Sequence, residues 1–171
     1  MGSKNTFFIL LTSKLNKYDI IPIVFYLTLT GIIIKLVNSQ YPEAKDFVFY
    51  YTFLTPILVC VFNYKSLQKL YSYGIWFIIS IAQVFLHLYL LEFESLNYKR
   101  GNAANGLQLI WIFLIIHQIM RVIHVIIVKR EYKPIYLYNA GPKILKGDPD
   151  YILNAPLSII FIFLWIYFYN K

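Results

Sequence analysis

The sequence predicts an all-α, polytopic membrane helical bundle of about five transmembrane helices, preceded by an N-terminal interfacial amphipathic helix. Three observations predict it. Hydrophobic residues make up 59% of the 171 and charged ones only 14%, against roughly 25% charged in soluble domains. The apolar residues gather into runs close to the 20 or so that one bilayer crossing needs. Apart from Lys35, Asp46 and Arg121, the charged residues fall between those runs. No segment is polar enough for a second unit, so residues 1–171 read as a single integral membrane domain.

Residues 5–18 predict the interfacial helix. Phe7, Leu11, Leu15 and Tyr18 share one helical face, with Ser13, Lys14, Asn16 and Lys17 elsewhere. The apolar stretch Thr6 to Thr12 is too short for a secretory h-region and no cleavage site follows it. Met1 to Thr6 fits the MGxxx[ST] myristoylation pattern.

The first span is expected over 20–38, with Pro22 in its opening turn, where a missing N–H costs least. Lys35 near its far end can snorkel to the headgroups. The second, 46–63, carries Thr55-Pro56 at its middle. A kink is expected there, with a freed carbonyl for a hydroxyl or a neighbouring helix to satisfy. The third, 74–91, contains no charge, and Glu92, Glu94, Lys99, Arg100 and Gly101-Asn102 mark the turn after it. The fourth, 106–128, contains Arg121. A long connection broken by Pro134, Gly141-Pro142, Gly147 and Pro149 leads to the fifth, 152–169, whose Trp165, Tyr167 and Tyr169 form an aromatic belt.

Five spans put the termini on opposite faces. The N-terminal segment and the second and fourth loops then hold ten Lys and Arg (Lys4, Lys14, Lys17, Lys65, Lys69, Lys129, Arg130, Lys133, Lys143, Lys146). The other face holds five: Lys35, Lys45, Lys99, Arg100 and Lys171. The positive-inside rule therefore places the N-terminus on the cytoplasmic or matrix side. The richness in Lys, Asn, Ile and Tyr points to an AT-rich genome, and so to a bacterial inner membrane or an organellar one such as the mitochondrial inner membrane. The net charge of +8 then meets anionic headgroups rather than nucleic acid.

A single cysteine, Cys60, excludes an internal disulfide and any CxxC site. The polar residues within spans are the informative ones. Trp76, Ser80, Gln83 and His87 form one stripe on the third span, and His117, Arg121 and His124 form another on the fourth, with Gln118 at its edge. An ionisable group in a span costs about 2.5–3.5 kcal/mol for Arg on insertion scales. The cluster Gln83, His87, His117, Gln118, Arg121 and His124 should therefore face inward, toward a wet cavity or toward a partner. Gln83 is placed to accept from Arg121, and His87 and His117 to share a layer.

Three functions suit this arrangement. The first is a non-catalytic subunit of a multi-subunit membrane complex, in which the stripes fix helix register by hydrogen bonding. The second is a homo-oligomeric ion channel or an ion or proton pathway lined by His117, Arg121 and His124. The third is a small membrane enzyme or a cofactor- or quinone-binding protein, with a single haem or quinone at His87 and His117. No cofactor is the leading expectation, and no metal site or catalytic residue is assigned.

One segment resembles a known family. Gly141, Pro142, Pro149 and Tyr151 match in spacing the GPxxxxRHPxY segment of isoprenylcysteine-type and phospholipid membrane methyltransferases. Gly147 and Asp148 stand where that family has the Arg-His pair that helps bind S-adenosylmethionine. The family's C-terminal acidic segment has no counterpart either. The likeness covers eleven residues and carries no methyltransferase assignment.

Overall fold

The computed structural model describes residues 14–99, 101–127, 129, 163–164 and 166–167. Among them every regular element is helical, joined by short turns, with one isolated bridge between Asn97 and Asn102. The helices are α1 (Lys17–Asn38), α2 (Ala44–Ile57), the short α3 (Tyr64–Leu67), α4 (Leu70–Leu90) and α5 (Ile110–Ile127). A π-helical segment, Leu58–Phe62, extends α2, and a 3-10 helix, Ala103–Leu109, leads into α5. Lys17–Asn38, Leu70–Leu90 and Ala103–Ile127 are each long and apolar enough to cross a bilayer. The 22 residues of α1 rise about 33 Å, against a hydrocarbon core of about 30 Å. Among the described residues the chain is all-helical, and by length and composition its three apolar helices fit an integral membrane protein.

Helix α1 starts three residues before the expected span. The cause is a capping box: Asn16 Oδ1 accepts from the Asp19 N–H at 3.1 Å, and Asp19 Oδ2 accepts from the Asn16 N–H at 2.8 Å. Pro22 consequently sits beyond the first turn rather than within it. The expected interfacial helix is not seen where it can be checked. Lys14 to Asn16 are not helical, Lys17 and Tyr18 open α1 instead, and residues 5–13 lie outside the described residues.

Pro56 changes the helix as the sequence anticipates, and in a specific way. Lacking an N–H, it cannot bond the Thr52 carbonyl, and two residues later the ladder shifts to π geometry over Leu58–Phe62. The Thr55 hydroxyl donates to the Tyr51 carbonyl at 2.6 Å, reinforcing the ladder beside the break.

Two polar layers close the ends of the bundle. At one end Lys69 Nζ meets Asp19 Oδ2 at 2.6 Å, tying the start of α4 to the start of α1. Beside it Ser66 and Ser72 hydroxyls pair at 2.5 Å. At the other end Tyr89 donates to Asn38 at 2.7 Å and Tyr98 to Asp46 at 3.0 Å. Lys45 lies over the Tyr98 ring, 3.9 Å from its centre. Gly101, at φ 85°, makes the turn that lets the Tyr98 N–H reach its carbonyl at 2.9 Å.

The main departure from the sequence reading follows that turn. Residues expected to form a connection up to 105 instead enter the bundle at Ala103. Six of the seven residues of the 3-10 helix are buried: Ala103, Ala104, Asn105, Gly106, Leu107 and Leu109. Small side chains permit this close packing between α2 and α4. A Cβ on Gly106 would stand 2.9 Å from Thr52 Cβ. The fifth span over 152–169 and the segment Gly141 to Tyr151 lie outside the described residues, save the helical Phe163, Leu164, Ile166 and Tyr167.

Candidate functional site

The site is a polar seam inside the bundle. On α4, the seven- and four-residue spacings place Trp76, Ser80, Gln83 and His87 on one face, and all four are buried, at most 6% exposed. On α5, His117, Arg121 and His124 are likewise buried, at 3%, 3% and 0%. Gln118 is half-buried and donates to the Leu67 carbonyl at 3.0 Å, joining α5 to α3.

His87 serves the backbone of the 3-10 segment. Its Nδ1 lies 3.1 Å from the Ala104 carbonyl oxygen. A carbonyl can only accept, so Nδ1 carries the proton. Thr52 on α2 plays the same part for the preceding residue, its one hydroxyl proton shared between the Ala103 carbonyl at 3.2 Å and the Phe49 carbonyl at 2.9 Å. Asn102 completes the arrangement by accepting from the Ala104 N–H at 2.8 Å. Non-helical polar groups at membrane depth must be satisfied within the protein, and these three side chains supply that satisfaction.

Gln83 finds its partner on α1. Its Nε2 reaches Thr30 Oγ1 at 3.5 Å, while its Oε1 is buried with no hydrogen bond among the described residues. The expected bond from Arg121 to that oxygen is therefore not formed. Thr30 is the hub of this layer. It donates to the Tyr26 carbonyl at 3.0 Å, so at its 2.6 Å contact with Tyr51 the phenol must be the donor. One proton given and two accepted saturate a hydroxyl, and α1, α2 and α4 are joined through it. Tyr26 stacks on Tyr51 and tilts against Trp76, with ring centres 5.4 Å apart in both pairs. Thr30→Val keeps the shape and strands two donors. It should lower the unfolding free energy in mixed micelles by about 1 kcal/mol, with helix content by circular dichroism unchanged.

The sequence singled out one face on each of two helices. The structure joins α4's face to α1 and the 3-10 segment, and gives Arg121 and His117 a shared buried face one turn apart. Sequence reasoning missed Thr30, Tyr51, Thr52 and the Asp19–Lys69 pair. A carboxylate at the mouth of an apolar run was the available signal for the last. Among the described residues no three His, Cys, Asp or Glu come together as a metal-binding group. The chain matches no protein-family model, no curated protein and no solved structure.

Proposed function

We propose that the chain is a five-span integral membrane protein, N-terminus on the cytoplasmic or matrix side, acting as a non-catalytic subunit of a larger membrane complex. The observation that carries this reading is the use made of the polar side chains on α4. Gln83 and His87 hold other helices and a carbonyl in place, as register-fixing groups do. Only 22% of the α1 window is buried within the chain, against 39% for the span that includes α5. Helix α1 therefore offers its flank to lipid or to other subunits. A fourth crossing is supplied by Ala44–Phe62, α2 with its π extension, whose 19 residues rise about 28 Å. Residues 152–169 supply the fifth.

Native mass spectrometry of the chain purified in mild detergent tests the reading. A heteromer of fixed stoichiometry is the expected result. A ring of identical chains would replace it with the channel reading, and a monomer alone would contradict both. Arg121→Leu should reduce the yield of that heteromer several-fold, whereas Lys35→Leu should leave it unchanged. Arg121 is 3% exposed and engaged, while Lys35 is exposed and can reach the headgroups. Equal yields from the two variants would contradict a role for Arg121 in assembly.

A further inference from the structure

Between α1 and α2 lies a groove of about 770 Å³, a feature the subunit reading does not use. It extends from Ile21 and Asn63 at one end to Leu36 and Phe47 at the other, about 22 Å by the rise of α1. Ile21, Phe25 and Leu54 on its walls are exposed, so the groove opens sideways toward the bilayer. Apolar cavities stay dry, and a void lined by hydrocarbon forfeits dispersion contacts. In a membrane such a groove fills with hydrocarbon.

One end of it differs from ordinary lipid-facing surface. Trp76, 2% exposed, lines the groove, and its indole nitrogen makes no hydrogen bond among the described residues. The amide nitrogen of Asn63, at the end of the groove, is also buried and has no partner among the described residues. Both atoms are donors, and the indole N–H can be nothing else. An occupant that brings acceptor oxygens can satisfy both. Positive charge collects at the same end. Lys17 opens α1 and Lys65 follows Asn63 by two residues, and both are exposed. Lys69 is already committed to Asp19.

We propose that the groove holds one chain of an anionic glycerophospholipid, its ester oxygens accepting from Trp76 and Asn63 and its phosphate lying among Lys17 and Lys65. Trp76 and Asn63 line the groove while these two nitrogens are themselves buried, so binding requires the side chains to turn toward it. Ester groups lie at the edge of the hydrocarbon core. Trp76 lies about 9 Å from the start of α4, so the ester groups of a lipid held there must reach below the level of Lys69 and Asp19. Cationic side chains near the headgroups favour an anionic lipid over a zwitterionic one.

The full chain reconstituted in phosphatidylcholine vesicles with a minor fraction of phosphatidylglycerol provides the test. After extraction in mild detergent, lipid retained per chain is counted by native mass spectrometry. Wild type should keep a single phosphatidylglycerol and lose phosphatidylcholine. Trp76→Phe, which keeps the ring packing and removes the donor, should weaken retention about tenfold, or about 1.4 kcal/mol. Leu54→Trp, which fills the groove, should abolish retention, and Lys17→Gln with Lys65→Gln should erase the preference between the two lipids. If Leu54→Trp does not fold, Trp76→Phe and the lysine variants decide the matter. Equal retention of both lipids, or wild-type retention in Trp76→Phe, would overturn the proposal. So would displacement of the lipid by an added isoprenoid quinone, or a protein partner seated there in its place. A monomer that still retains the lipid would sink the subunit reading alone.

Discussion

Gly106→Leu is expected to destabilise the bundle by about 3 kcal/mol, the upper part of the range for overpacking a filled core. The backbone there approaches α2 so closely that even a methyl carbon would stand 2.9 Å from Thr52 Cβ and 3.0 Å from its hydroxyl. Any larger side chain must push the 3-10 helix off α2. That shift would also part Thr52 from the Ala103 carbonyl and His87 from the Ala104 carbonyl. Gly31 and Gly74 are the controls. A Cβ at either meets nothing within 4 Å, and both lie inside helices, where alanine is favoured over glycine by about 0.5–1 kcal/mol. Gly31→Ala and Gly74→Ala should thus be neutral or stabilising. Unfolding of the three variants in mixed micelles checks the contrast. A Gly106→Leu protein as stable as wild type would mean that the 3-10 segment does not pack where it is described.

Lys69→Met should cost about as much, roughly 3 kcal/mol, because it strands a buried carboxylate. Asp19 is 3% exposed in its side chain, and Lys69 is the cation it meets, at 2.6 Å. Adding Asp19→Asn to Lys69→Met should recover most of the loss. Asparagine no longer needs a cation, and its side-chain oxygen can still accept from the Asn16 N–H. The double-mutant cycle separates the pair energy from the cap. Additive losses in the two single variants and the double would show that the two residues do not act as a pair.

The apolar runs made the helices legible, since length and hydropathy dictate where a bilayer can be crossed. Their ends were less so. Asn16 and Asp19 stand at the spacing of a capping box, but an apolar face on Leu11 and Leu15 drew Lys17 and Tyr18 into a separate interfacial helix. The cap wins because it satisfies two backbone N–H groups that neither water nor lipid would satisfy as well. Ala103 to Asn105 read as part of a connection for a similar reason. Small and polar residues after Gly101-Asn102 signal a loop in an aqueous setting. Within a membrane the same residues allow close packing once neighbours cap their carbonyls. The polar stripe of α4 could be drawn from spacing alone. Its partners could not, because they are contributed by Thr30 and Ala104, from elements distant in sequence. Thr30 in particular looks like any hydroxyl in a span until Tyr51 is brought against it.

The proposed topology threads the chain through the bilayer with its basic loops on one side. Cysteine labelling from a defined face of sealed vesicles tests it most directly. Single cysteines at Lys65, Ser95 and Lys143 in a Cys60→Ser background would be exposed to an impermeant thiol reagent. Lys65 and Ser95 are both exposed in the structure, so access is decided by the membrane alone. The account predicts that Lys65→Cys and Lys143→Cys label from the face that carries the N-terminus, and Ser95→Cys only from the opposite one. Labelling of Lys65→Cys and Ser95→Cys from the same face would contradict it, since α4 would then not cross.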